Sequence, residues 1–195
     1  MAAKFKNVYQ FKITLLNVKP QIWRRIQVPE TYRFWDLHCA IQDAMGWEDC
    51  HLHEFRVPSV KGGKDLEIGI SEEIVTMKST KVRIANHISL GNPNAGYWYD
   101  FGDDWWHKLK LEKILPSAPN LNYPLCLAGK RACPPEDSGG PWRYQHLLDV
   151  MKDPKDPEYE DALDWMGEDF DPEKFDPKDV NFDDPRERER YCDFF

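Results

Sequence analysis

Tyr97-Trp98-Tyr99-Asp100-Phe101-Gly102-Asp103-Asp104-Trp105-Trp106-His107 is the densest run of aromatics and carboxylates in the chain, and it reads as a β-hairpin. Tyr97, Tyr99 and Phe101 alternate onto one face, Gly102-Asp103-Asp104 carries turn chemistry, and Trp105 to Leu115 runs back as a second strand. In the return strand His107, Leu109 and Leu111 share one face, and Lys108, Lys110 and Glu112 share the other. A sheet is therefore the element around which the chain organises.

Upstream, residues 8–16 alternate in the same way, with Tyr9, Phe11, Ile13 and Leu15 opposed to Gln10, Lys12 and Thr14. Asn17 to Pro20 is a turn, and Ile22 to Val28 a second strand stopped by Pro29. Arg24 shares a face there with Ile22, Ile26 and Val28, so it must snorkel or pair with a carboxylate. The period then changes. Phe34, Leu37, Ile41 and Met45 form a helical stripe over 34–45, with Thr31 as an upstream cap, Gly46 at the C′ position and Trp47 tucked under the end. Leu52 to Val57 is a third strand, and the polar residues 58–80 read as a surface insertion holding a loose hairpin or short helix. Order resumes at Val82 to Ile84, with one helical turn over 85–90.

Downstream of Pro116 the chain is rich in Pro and Gly and reads as a long non-repetitive segment pinned to the sheet. Pro141 to Met151 is a helix with Pro in its first turn and Trp142, Leu147, Leu148 and Met151 as apolar contacts. Pro157 to Met166 is a second helix, closed by Gly167. Repeated Asp-Pro steps and the isolated Phe170, Phe175 and Phe182 then describe an extended strap. The pattern is an α+β fold: a mostly antiparallel sheet with one main helix packed on a face (β-β-α-β, then a β-hairpin), a C-terminal pair of helices and the strap. Residues 1–180 form a single domain, and 181–195 an acidic C-terminal tail.

Hydrophobic residues at 41% supply a core without disulfide staples, and eight Trp point to large aromatic packing or an aromatic-lined groove. Five Cys at irregular spacing, with no signal-peptide core in Met1 to Lys6, fit free thiols in a reducing, cytoplasmic compartment. No apolar run reaches the length of a membrane span, so no membrane partner is expected. Charge is unequal between the halves. Residues 1–115 hold 16 Lys+Arg and 14 Asp+Glu, residues 116–195 hold 10 and 20, and the whole is −8. That balance disfavours broad binding to nucleic-acid phosphates.

Four stretches carry a family resemblance: Val18-Lys19-Pro20-Gln21-Ile22-Trp23-Arg24-Arg25-Ile26 with Leu37-His38 and Ile41-Gln42; Met45-Gly46-Trp47 with His51-Leu52-His53-Glu54-Phe55; Tyr99-Asp100-Phe101-Gly102-Asp103 with Trp105 and His107; and Cys126-Leu127-Ala128-Gly129, Ala132-Cys133-Pro134-Pro135-Glu136-Asp137 and Gly139-Gly140. Over roughly residues 8–180 the chain resembles the plasmid pRiA4b ORF-3-like family, met as a passenger protein of bacterial insertion elements. The resemblance implies an uncharacterised α+β protein and supplies no settled catalytic residues. The loop at 58–80 and the end after 180 match no part of its motifs.

Several constellations could carry chemistry. His51 and His53, two apart, fall on one face if both lie on a strand; with His107 and a carboxylate or thiol they could hold zinc or another divalent metal. The alternative is histidines at the core edge bonded to backbone or Asp. Cys126 and Cys133, with six residues between them, could add ligands or simply pack as small apolar groups. Asp100, Asp103, Glu136 and Asp137 are the candidate acid–base carboxylates, with Gly139 and Gly140 letting backbone approach a ligand; the same loop could instead be a rigid entry to the next helix. Trp23, Arg24, Arg25, Tyr99, Trp105 and Trp106 are candidate binding residues. Arg24 and Arg25 could also be spent on intramolecular pairs with Glu136 or Asp137.

The expected function is a binding or interaction module, its groove lined by the hairpin aromatics and the Pro-Pro-Glu-Asp loop, taking a protein or small-molecule ligand. A second reading is a metal-dependent hydrolase or nuclease built on His51, His53 and His107 with the nearby carboxylates. A third is a mobile-element accessory that contacts DNA through Arg24 and Arg25.

Overall fold

The protein is described here by a computed structural model covering residues 5–60, 62–70 and 75–192. Residues 1–4, parts of the 58–80 segment (61 and 71–74), residues 193–195 and the side chains of Tyr191 and Cys192 lie outside the described residues. The alternating stretch at the start forms β1 (Asn7–Leu15), between β2 (Trp23–Pro29) and β7 (Trp105–Pro116). With β3 (His53–Val57), β4 (Leu66–Gly69), β5 (Met77–Lys78), β6 (Asn94–Tyr99) and β8 (Leu125–Lys130) they make one eight-stranded sheet. Its order is β5-β4-β3-β6-β7-β1-β2-β8, antiparallel throughout except for the β4–β5 pair.

Helix α1 (Phe34–Met45) covers one face of the sheet. Its stripe buries Phe34, Leu37, Ile41 and Met45 against Phe55, Tyr97 and the inward residues of β1 and β2. Arg33, not Thr31, is the N-cap residue: Asp36 accepts its backbone N–H at 2.7 Å and its guanidinium at 2.7 Å. Gly46, at φ +99°, ends the helix by donating to the Gln42 carbonyl at 2.8 Å. Helix α2 (Gly140–Val150) packs on the same face through Tyr144 against Trp105, and α3 (Tyr159–Met166) packs on α2.

The structure revises the sequence reading at several points. Phe101 does not continue the inward row of Tyr97 and Tyr99; it sits in the turn and lies 4.2 Å from the outward Trp98 ring. Part of the 58–80 segment is sheet, since β4 and β5 extend the edge beside β3. The Pro-rich segment contributes β8, which pairs with β2 at the other edge. Trp142 faces outward, 88% exposed, and contributes no core contact. The extended strap ends in a fourth helix, α4 (Pro185–Cys192), docked on α1 where Trp35 Nε1 donates to the Pro185 carbonyl at 2.9 Å.

Arg24 neither snorkels nor meets a carboxylate. It is buried, donating to the carbonyls of Ala44 at 2.7 Å, Trp23 at 3.0 Å and Lys130 at 3.2 Å, with Phe175 stacked 3.7 Å from its guanidinium. Ala44 is in the last turn of α1, where carbonyls lack helical partners, so Arg24 caps that helix from the sheet.

Candidate metal centre

Three connections meet at one end of the sheet: residues 48–52 between α1 and β3, the hairpin turn 100–104, and the loop 131–139 before α2. They are tied together by hydrogen bonds. Trp47 Nε1 donates to the Pro134 carbonyl at 3.0 Å, and the Gly139 N–H donates to Asp103 Oδ2 at 2.8 Å. Ser138 Oγ donates to the Pro135 carbonyl at 2.8 Å, tightening the loop on itself. Gly140 lies so close to the turn that a Cβ would stand 2.4 Å from the Asp103 carbonyl oxygen, and its φ of +79° favours glycine independently.

This pinning brings His51, Asp100 and Asp137 together. His51 Nε2 lies 3.0 Å from Asp137 Oδ1 and 3.6 Å from Asp100 Oδ2, and one donor atom from each residue falls within 4.8 Å of the others. Asp100 is aimed by the turn itself. Its Oδ1 accepts the N–H groups of Gly102 at 2.9 Å and Asp103 at 3.3 Å, which leaves Oδ2 directed at the imidazole. Asp49, Asp100, Asp104 and Asp137 all hold left-handed backbone at φ of 60°, 52°, 59° and 54°. Aspartate tolerates that region better than most residues, but four around one site collect local backbone strain.

Glu136 stands beside the trio. Its Oε1 accepts the Tyr99 hydroxyl at 3.0 Å and the Glu48 N–H at 2.9 Å, while its buried Oε2 has no hydrogen-bond partner among the described residues. Burial raises the Glu136 carboxyl above the usual carboxylate range, opposed by those hydrogen bonds and by His51. Tyr99 is pushed up in turn by burial and the neighbouring Glu136. The arrangement is a half-buried carboxyl that gains a proton more readily than an exposed one, next to an accessible imidazole.

Below it runs a buried polar chain. Gln42 Nε2 donates to the Tyr97 hydroxyl at 2.9 Å; that hydroxyl lies 2.8 Å from His38 Nδ1, and His38 Nε2 lies 2.7 Å from Asp49 Oδ1. The consistent assignment has Tyr97 donating to Nδ1 and the Nε2–H donating to Asp49. A cavity of about 180 Å³ between this chain and the surface is lined by Trp35, Asp49, Cys50, His51, Leu52 and His53.

The other residues singled out by spacing lie elsewhere. His51 sits in the bend before β3, so strand alternation does not place it with His53, which is buried and 3.2 Å from Ser79 Oγ. His107 is also buried. Its Nδ1 donates to the carbonyls of Trp105 at 3.1 Å and Tyr97 at 3.3 Å, and burial pushes its pKa down to about 3. Cys126 and Cys133 flank Arg24, with both thiols raised by burial. Among the described residues none of these four joins a cluster of three metal-ligand atoms. Tyr99 and Trp105 fill the core, whereas Trp106 is on the opposite sheet face. Arg25 pairs with Glu112 at 2.7 Å, not with Glu136 or Asp137. His38 and Gln42 entered the sequence reading only within the family resemblance, with no role given to them, and Asp49 not at all. The signal for the first two was polar side chains four apart on the buried stripe of α1.

Comparison with known proteins bears on the family and the fold. Residues 7–179 match the family model described as plasmid pRiA4b ORF-3-like protein. The uncharacterized protein y4hQ of Sinorhizobium fredii (strain NBRC 101917 / NGR234) is 36% identical over 165 residues, covering 83% of this chain and 81% of that protein. The crystal structure of a protein of unknown function, MM3350 from Methanosarcina mazei Go1, superposes with a TM-score of 0.87 at 51% identity, covering 92% of this chain and all of that one. The motifs, the eight-stranded sheet and these matches agree: this chain belongs to the plasmid pRiA4b ORF-3-like family.

Proposed function

We propose that the protein binds a divalent metal ion through His51, Asp100 and Asp137, and that the ion serves a hydrolytic reaction with Glu136 as the acid–base group. One observation carries the reading. The separations of 3.0 and 3.6 Å between His51 Nε2 and the two carboxylate oxygens bracket the ~3.3 Å edge of a tetrahedron with zinc-like bonds. Two supports are independent of those distances: Asp100 is fixed by its turn, and the loop carrying Asp137 is fixed to Asp103. Three protein ligands leave a coordination position for water, and a metal-bound water is acidic enough to give hydroxide near neutral pH. Glu136 would take the proton of that water as its oxygen attacks an ester or phosphoester, and return it to the leaving group.

The metal test is calorimetric titration of tag-free, chelator-treated protein with zinc and with manganese. One ion bound per chain, abolished in His51→Gln and Asp137→Asn with folding intact, is the expected result. The Asp137 side chain is 66% exposed, so Asp137→Asn leaves packing untouched. Absence of binding, or binding indifferent to both variants, would reduce the cluster to an ion pair. Glu136→Gln should retain the metal and lose hydrolysis of ester or phosphodiester substrates; unchanged turnover would remove Glu136 from the mechanism.

One domain for residues 1–180 and a cytoplasmic setting belong to the same proposal. They are supported by the single sheet and by the free thiols Cys39, Cys50, Cys126 and Cys133. Among the described residues no helix is long and apolar enough to cross a membrane.

A further inference from the structure

Helices α1 and α2 pack on one face of the sheet, and α3 and α4 pack on those helices. Among the described residues, the side chains of the opposite face contact mainly one another. Strand register sets them in two adjacent rows. One row is Arg56, Gly96, Lys108, Thr14 and Trp23 across β3, β6, β7, β1 and β2. The next is Asn94, Lys110, Lys12 and Arg25 across β6, β7, β1 and β2. Four strand spacings make the longer row about 19 Å across.

At one end the indoles of Trp98 and Trp106 stack at 4.9 Å, 12° from parallel, with Arg56 4.8 Å from the Trp106 ring. At the other, Trp23 carries Lys12 at 5.1 Å and Arg25 at 5.2 Å. The acidic groups on this face are already engaged: Glu112 with Arg25, Glu54 with Arg56, Glu67 (beside Arg56 on β4) with Lys64, and Asp104 with the Trp106 indole N–H. The net charge of −8 does not describe this face. The acidic excess resides in residues 136–189, which follow β8 and form the helices and strap of the other side.

We propose that the uncovered sheet face binds single-stranded nucleic acid, its phosphates met by Lys12, Lys108 and Lys110 and its bases stacked on Trp106 and Trp23. Indole faces accept any base, and guanidinium groups held against them extend the stacking platform, whereas a flat sheet offers nothing that enters a duplex groove. None of the metal-centre residues takes part, so either proposal can fail alone. It also relocates the basic contacts expected from sequence: Arg25 is on this face, but Arg24 is buried beneath the other.

The test is fluorescence anisotropy of labelled oligothymidylate, oligouridylate and a duplex of equal length, at low salt, with the full chain. Both single strands should bind more tightly than the duplex. Log affinity against log salt should fall with a slope of about −2, as three lysines on a single strand require. Lys108→Glu with Lys110→Glu, both at exposed positions, and separately Trp106→Ala, should each weaken binding by about tenfold or more. Circular dichroism and melting confirm that each variant folds; if Trp106→Ala does not, the lysine pair still decides. No binding of either single strand, equal binding of the duplex, or binding that the lysine variant leaves unchanged would each overturn the proposal.

Discussion

The imidazoles of His38 and His53 stack 3.6 Å apart, 14° from parallel, with neither ring open to solvent. Two cations cannot share that geometry. Burial, reinforced by His38, holds His53 well below the ordinary histidine value, and burial alone does the same to His107. The unfolded chain therefore binds more protons than the folded one once pH falls below about 6.5, and stability is full above that value and lost below it. For two such groups the loss is about 3 kcal/mol between pH 7.5 and 5.5. Urea melts across that range should show it, and His53→Gln should halve the slope. A flat profile would mean that both His53 and His107 take up their protons within the fold.

Arg24 supplies hydrogen bonds to three carbonyls that sit in different elements. Arg24→Met keeps much of the volume but leaves those acceptors without their partner, and should destabilise the fold by about 3 kcal/mol. Phe175 loses its stacking partner in the same variant, so limited proteolysis should begin in the strap near that residue.

Gly140→Ala forces a Cβ against the backbone oxygen of Asp103, whereas at Gly139 the nearest atoms belong to the flexible Arg143 side chain. Both glycines have positive φ, so both variants are strained. The difference is relief. Gly140→Ala should lower stability by at least about 2 kcal/mol and separate Asp137 from Asp100, while Gly139→Ala should be the milder change. Melting temperature and metal titration on the two variants compare them directly.

Arg188 fastens α4 to the body of the protein, 2.7 Å from Asp43 and 2.8 Å from Asp183, with Asp49 at 3.9 Å. Burial raises the Asp43 carboxyl and Arg188 holds it down, so Arg188→Gln leaves a buried acid uncompensated. A loss of about 2 kcal/mol is expected, with trypsin cutting earlier at Arg186 and Arg190. Unchanged trypsin sensitivity would show that Trp35 and Pro185 suffice to hold the helix.

The two halves of this fold differ in how readable they were. β1, β2, α1 and the 97–115 hairpin announce themselves because each has one buried face, and burial of one face imposes a period on the sequence. β4, β5 and β8 are short strands at the two ends of the sheet without such a period; their strand geometry comes from β3 and β2, which they extend. The metal-site candidates were legible as chemistry but not as a set. His51 meets Asp100 and Asp137 because the 131–139 loop folds onto the hairpin turn, which depends on backbone contacts such as that of Gly139 with Asp103. The pairing of His51 with His53 failed because strand geometry starts at His53. His38 and Gln42 were hidden by the strength of the apolar stripe they interrupt.

The position of β1 between β2 and β7 has a consequence for synthesis on the ribosome. Val8 lies beside Pro29 residues that follow almost at once on one flank, but beside Leu115 on the other. A nascent chain ending before Trp105 thus carries β1 with an open, apolar-flanked edge, and the central sheet cannot close until the hairpin has left the exit tunnel. Chains released early should be the ones that aggregate, and the hairpin is the point in translation at which that hazard ends.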